Sequence, residues 1–211
     1  MKKIYTIVIG LLLSPMLIAQ QNITSVQDGN ATNPFVWDCT CIPTPDDNIT
    51  IAHDITMDVD WIVNNGGSIT INGGATFIQD AQNRAILFDG SGSSFTNYGE
   101  TELTNVAFTN GAEGHNHSSL ALDTGLWIGP NSMFMNHGLT NVDSTLIQGM
   151  FMNEGTYGQG DFLNEGGTVM NTGFISVDSL YNNQGTINSS AGNITTNDFA
   201  SNGLVNITGS S

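Results

Sequence analysis

The sequence predicts a right-handed parallel β-helix, an all-β solenoid that winds about 17–20 residues into each coil, and three observations point to it. The first is a recurring phrase: a large apolar residue, any residue, Asn, any residue, Gly. It reads Phe95-Thr-Asn-Tyr-Gly99, Phe134-Met-Asn-His-Gly138, Phe151-Met-Asn-Glu-Gly155, Phe162-Leu-Asn-Glu-Gly166, Val169-Met-Asn-Thr-Gly173 and Tyr181-Asn-Asn-Gln-Gly185. A fixed phrase repeated this often means one structural unit stacked many times. The second is a set of alternating apolar pairs, Ile49/Ile51, Ile69/Ile71, Ile86/Phe88, Val106/Phe108 and Leu126/Ile128, returning at steps of 20, 17, 20 and 20 residues. Alternation marks a strand with one face inward. The third is an echo 35 residues apart, Gly138-Leu-Thr-Asn-Val-Asp-Ser144 against Gly173-Phe-Ile-Ser-Val-Asp-Ser179, about two coils.

Taken from the N-terminus, residues 1–20 carry the marks of an export signal. Lys2 and Lys3 precede an apolar run from Ile7 to Ile18, too short to span a bilayer, and Ala19 offers a small residue for cleavage. Residues 21–36 are polar and read as a flexible lead-in. Residues 37–48 read as a cap, since the end of a solenoid exposes apolar core and unpaired strand edges. Residues 49–211 read as the coils. Within them the phrase's apolar residue points into the stack. Its Asn and Gly tolerate positive φ and turn the corner, and stacked Asn side chains can bond one another at a spacing of about 4.8 Å. Gly, Asn and β-branched residues interrupt every candidate helix beyond residue 20.

Charge narrows the functional classes. Beyond the signal, Arg84 is the only basic residue against 19 acidic ones. Such a chain cannot neutralise a row of phosphates, which argues against nucleic acid, and anionic lipid and acidic polysaccharide are disfavoured for the same reason. A lyase acting on uronic acids needs cations and a base, and Arg84 alone does not supply them. A hydrolase needs converging carboxylates. Asp143 and Asp178 lie two coils apart, and no tight acidic cluster is visible. Ice binding needs an unbroken threonine row, and the residues between the apolar pairs run Thr50, Thr70, Leu87, Ala107, Trp127.

The remaining candidate residues each have two readings. Cys39 and Cys41, the only cysteines, read as a small disulfide in an exported chain, with a metal site as the weaker alternative. Asp46 and Asp47, with Asp58 and Asp60, are acidic pairs that suit calcium as a cofactor, or simply charge guarding an exposed edge. His115 and His117 can present two imidazoles on one face of a strand, or sit in a solvated loop among Gly111, Gly114 and Ser118. His53 and His137 show no partner in the sequence.

The stretch Trp37-Asp-Cys-Thr-Cys-Ile-Pro43, followed by Asp47-Asn-Ile-Thr-Ile-Ala-His-Asp-Ile-Thr-Met57, resembles the start of β-helical regions in large secreted proteins of Bacteroidota. The resemblance covers roughly residues 37–80. It implies adhesin-like cargo of the type IX secretion route, displayed at the cell surface or released, often within a longer chain. It also implies O-glycosylation at Ser144 and Ser179, since Asp143-Ser-Thr145 and Asp178-Ser-Leu180 are similar to the Asp-Ser sites modified there; repeat-turn chemistry explains the same residues equally well. The expected function is a secreted or cell-surface β-helix with a structural or adhesive role, surface glycans or proteins as partners, and no catalytic centre. The alternative is a carbohydrate-active β-helix enzyme or a non-catalytic fragment of one.

Overall fold

A computed structural model describes residues 20–209. The expected signal peptide falls almost wholly outside the described residues. The described chain is a parallel β-solenoid. Every pairing between its named strands is parallel, and no α-helix is present among the described residues. A full coil runs along three faces. The first face is a ten-stranded sheet running from Asn22–Thr24 through Asn48–Ile51, Ser68–Ile71, Ser94–Asn97 and onward to Leu204–Thr208. The second and third faces merge into long strands such as Glu100–Thr109 and Ser119–Ile128, whose register shifts mark the bend between them. One coil rests on the next at about 4.8 Å, so inward residues of successive coils form continuous columns.

Those columns are the core. Phe95, Phe134, Phe151 and Val169 stack on the first face, and Phe88, Phe108, Ile128 and Ile147 on the third, all buried. Rings of neighbouring coils meet at centroid distances of 5.2 Å for Phe88–Phe108, 5.6 Å for Phe108–Phe134 and 6.2 Å for Phe134–Phe151. Burying each ring stabilises the stack by about 1.5–3 kcal/mol. Gly114 replaces the phenylalanine in one coil because a Cβ there would lie under 3.0 Å from the Phe108 and Phe134 rings, which fill that space.

The phrase's asparagines form the anticipated ladder. Asn97 Nδ2 donates to Asn116 Oδ1 (2.9 Å), Asn116 to Asn136 (3.0 Å), Asn136 to Asn153 (2.8 Å) and Asn153 to Asn171 (2.8 Å), and Asn171 donates to the Ser189 hydroxyl (3.1 Å). A second ladder on the third face links Asn164 to Asn182 and then to Ser201. It takes over the column that Ile147 occupies one coil earlier, so Asn164 Oδ1 has no donor beneath it. Every ladder asparagine is buried, and its Nδ2 bonds the backbone of a following coil as well as the neighbouring amide or serine hydroxyl, which offsets the cost of burying the donor.

Residues 21–36 are not a flexible lead-in: Asn22–Thr24 pairs with Asn48–Thr50 and Gly29–Asn30 with Ile55–Thr56, with Ile23, Ala31 and Val36 buried. The cap itself is a return of the chain. The 3₁₀ turn Pro34–Val36 brings Trp37 antiparallel to Ser25, where Val26 N donates to Val36 O and Asp38 N to Thr24 O across the otherwise free edge. Trp37 is buried, packs against Trp61 with ring centroids 6.3 Å apart and planes tilted by 42°, and donates to Ala31 O (2.9 Å). Coil length also departs from 17–20 at the start. Along the first face the coils take 26, 20, 26, 19, 20, 17, 18, 18 and 18 residues. Both 26-residue coils carry an insertion at a bend. One holds the Cys39–Cys41 segment; the other holds residues 80–84, closed by Asp80 and Arg84.

The series of apolar pairs joins two columns. Ile69 pairs with Phe95, whereas Ile86 belongs to the third face and pairs with Trp61 and Val106, so the 17-residue step crosses between faces. Tyr181 points outward and Asn182, not Asn183, enters the ladder, so the phrase there is displaced by one residue. The corner does not rest on left-handed backbone either. Neither the ladder asparagines nor Gly99, Gly138, Gly155 and Gly173 have positive φ; of the phrase glycines only Gly166 does, at +78°. These positions need glycine because backbone lies against backbone: a Cβ on Gly155 or Gly173 would sit under 3.0 Å from the carbonyl oxygen of the glycine one coil earlier.

Candidate functional site

Two features of the outer surface carry chemistry. One is a histidine cluster at the corner between the first and second faces. His115 lies on the strand Glu113–Asn116, and His117 follows it past the buried Asn116. His137 occupies the position after Asn136 one coil later, so the ladder that pairs Asn116 with Asn136 also sets His117 over His137. Their rings stack at 4.7 Å and 5°, His115 and His117 lie at 6.3 Å and 6°, and Tyr98 stacks on the other side of His117 at 4.7 Å. Each histidine offers a ring nitrogen within 4.8 Å of those of the other two. His137 Nδ1 lies 2.9 Å from Glu154 Oε2 on the next coil. Partial burial, then the neighbouring His137 and His115, hold His117 below the ordinary imidazole range, because the charged form loses solvent and gains like charges. Three imidazoles with one carboxylate behind them form a nitrogen-rich donor set.

The second feature is an apolar column on the outside of the third face. Ile62, Leu87, Ala107, Trp127, Leu146, Leu163, Tyr181 and Ala200 are successive register partners. Ile62 (52%), Trp127 (42%) and Tyr181 (43%) stand open to solvent. Seven steps of about 4.8 Å make the stripe about 34 Å long. Trp127 Nε1 donates to Gln148 Oε1 (3.3 Å), which orients the indole on the surface. A shallow groove lined by Asn105, Thr124 and Ser144 runs beside it. Thr50 and Thr70 belong to the first face, so the five-residue row considered for ice binding is not one row.

The other candidate residues fall elsewhere. Cys39 and Cys41 are joined in a disulfide with a Cα–Cα distance of 5.1 Å, within the cap insertion. The four aspartates considered for calcium are not assembled. Asp47 is buried and accepts from Gln21 N (3.0 Å), Thr44 N (2.7 Å) and Thr44 Oγ1 (2.7 Å), while Asp46 accepts from Thr44 Oγ1 (2.8 Å). Asp58 accepts from the backbone and hydroxyl of Thr32, and Asp60 from Ala85 N (2.9 Å). Their oxygens tie loops to the stack, and the cluster of three or more metal-ligating side chains among the described residues is the histidine one. Ser144 is exposed and Ser179 half-buried, in one column with Asp161 between them. Arg84 forms a two-point ion pair with Asp80 (3.0 and 2.7 Å), which holds the Asp80 carboxyl below its usual range. His53 bonds Ser25 near the cap.

The partner of His137 lies one coil away and is not apparent along the chain. Aligning His115-Asn-His117 on Met135-Asn-His137 by their shared asparagine places the two histidines on adjacent coils, but the phrase was defined by its apolar residue, and Gly114 stands in that place. No protein-family model, curated protein or solved structure matches this chain.

Proposed function

We propose that the protein is a secreted or cell-surface β-solenoid with a structural and adhesive role and no catalytic centre, and that it binds a neutral glycan chain along the third face. The exposed apolar stripe carries this reading. An unpartnered apolar strip of this length on a soluble protein is a candidate contact surface. Trp127 and Tyr181 sit three coils apart, about 14 Å, and both stand open to solvent as aromatic contacts for a ligand lying along the axis. The excess of acids, with the single arginine already paired, disfavours anionic glycans and leaves uncharged ones.

The test is equilibrium binding of the purified protein to a panel of neutral glycans and matrix proteins. Trp127→Ala and Tyr181→Ala should each weaken glycan binding at least tenfold with the far-ultraviolet spectrum unchanged, as expected for exposed aromatic contacts worth more than about 1.4 kcal/mol. Hydrolysis of any glycan on the panel, or binding indifferent to both substitutions, overturns the proposal.

A further inference from the structure

We propose that His115, His117 and His137 form a binding site for a divalent transition ion of the imidazole-preferring class, zinc or copper(II), that staples two adjacent coils. The site is built by the fold, because the ladder bond from Asn116 to Asn136 sets the spacing that brings the three rings together. The nitrogens lie within 4.8 Å of one another, and a tetrahedral ion with metal–nitrogen bonds of about 2.1 Å needs them about 3.4 Å apart. His117 is exposed and His115 and His137 are half-buried, so rotation about their broad χ2 torsions can close that difference.

Glu154 supplies the second argument. Its Oε2 lies 2.9 Å from His137 Nδ1, and with a proton held between them at Nδ1 the other nitrogen, Nε2, is the one left to ligate. A carboxylate behind a ligating histidine is the usual outer partner at such centres. Three nitrogens with no carboxylate in the inner set disfavour calcium and magnesium, which take oxygen. The fourth position is left to water or to an exogenous ligand. The site lies at the corner between the first and second faces and the apolar stripe on the third, so it stands or falls independently of glycan binding.

The experiment is calorimetric titration of chelator-stripped full-length protein with zinc and, separately, with copper(II), alongside calcium. One saturable equivalent of zinc or copper(II) is expected, with no response to calcium and a rise in melting temperature on binding. His117→Asn should weaken binding at least tenfold, Glu154→Gln by about 10–100-fold, and His53→Asn, which alters the remaining histidine, should leave it unchanged. In the copper-loaded protein, electron paramagnetic resonance should show coupling to imidazole nitrogens that diminishes in His137→Asn. Absence of saturable binding, equal affinity in His117→Asn, or an ion that pairs two molecules instead of occupying one would each overturn the proposal.

Discussion

Replacing Asn136 by Ala removes the centre of the longer ladder. Asn136 donates to Asn153 Oδ1 (2.8 Å) and Thr156 O (2.9 Å) and accepts from Asn116 Nδ2 (3.0 Å) and Thr140 Oγ1 (2.9 Å). Four bonds at about 1 kcal/mol each give a loss of about 4 kcal/mol. The loss is not softened by water, because Asn136 is buried and Asn153 Oδ1 is left without its donor in the interior. For a chain of this size 1 kcal/mol shifts the melting temperature by about 2–4 °C, so a drop of about 8–16 °C is expected. The assay is thermal unfolding followed by circular dichroism, with Asn183→Ala as control. Asn183 is exposed and outside both ladders, so its loss should move the midpoint by less than about 2 °C. A shift below about 3 °C for Asn136→Ala, or equal shifts for the two variants, would refute the claim that the buried amides hold neighbouring coils together.

Three further outcomes follow from the same geometry. Gly155→Ala should cost about 3 kcal/mol or more, since its Cβ meets the Gly138 carbonyl, whereas Gly74→Ala, with φ of +87° but open space around it, should cost only about 1 kcal/mol; comparable urea midpoints for the two would contradict the close-approach account. Removing the Cys39–Cys41 disulfide by a double serine substitution should cost about 2 kcal/mol or less, because the closed loop is minimal, and failure of the variant to fold would show a larger role for the cap. The lowered affinity of His117 for protons, set by burial and by His137 and His115, means that the unfolded chain binds more protons just below pH 6.5. Stability should therefore fall as pH drops through that window and be unaffected above it, with Glu154 beside His137 the one carboxylate in the cluster; the melting temperature of His117→Asn should fall less over the same range, and an identical pH profile would rule the account out.

The fold class was legible because its cause is periodic. A stack of coils must return apolar residues and small corner residues at a nearly fixed interval, and Phe95, Phe134, Phe151 and Val169 do so on one face. Register was less legible because three faces share one alphabet. Ile69 and Ile86 look like successive members of a series, yet one sits on the first face and the other on the third. The ladder is legible in the repeated Asn, but the role of its glycines is not: turn conformation and coil-to-coil crowding select the same residue, and only the folded stack separates them. The histidine cluster depends on a neighbour twenty residues away and the apolar stripe on pairings across eight coils. Both are properties of alignment between coils, which no single stretch of chain reveals.

The two 26-residue coils show where this architecture has slack. Their extra residues leave the stack at bends and are closed on themselves, by a sulfur bridge in one case and an ion pair in the other, while the columns on either side keep their pairing. Length is thus a free parameter at those two exits. A foreign peptide with its own closing link, grafted between Asp80 and Arg84, would be carried on a rigid rod without disturbing the rungs above or below it, which makes that bend a natural place to hang new cargo.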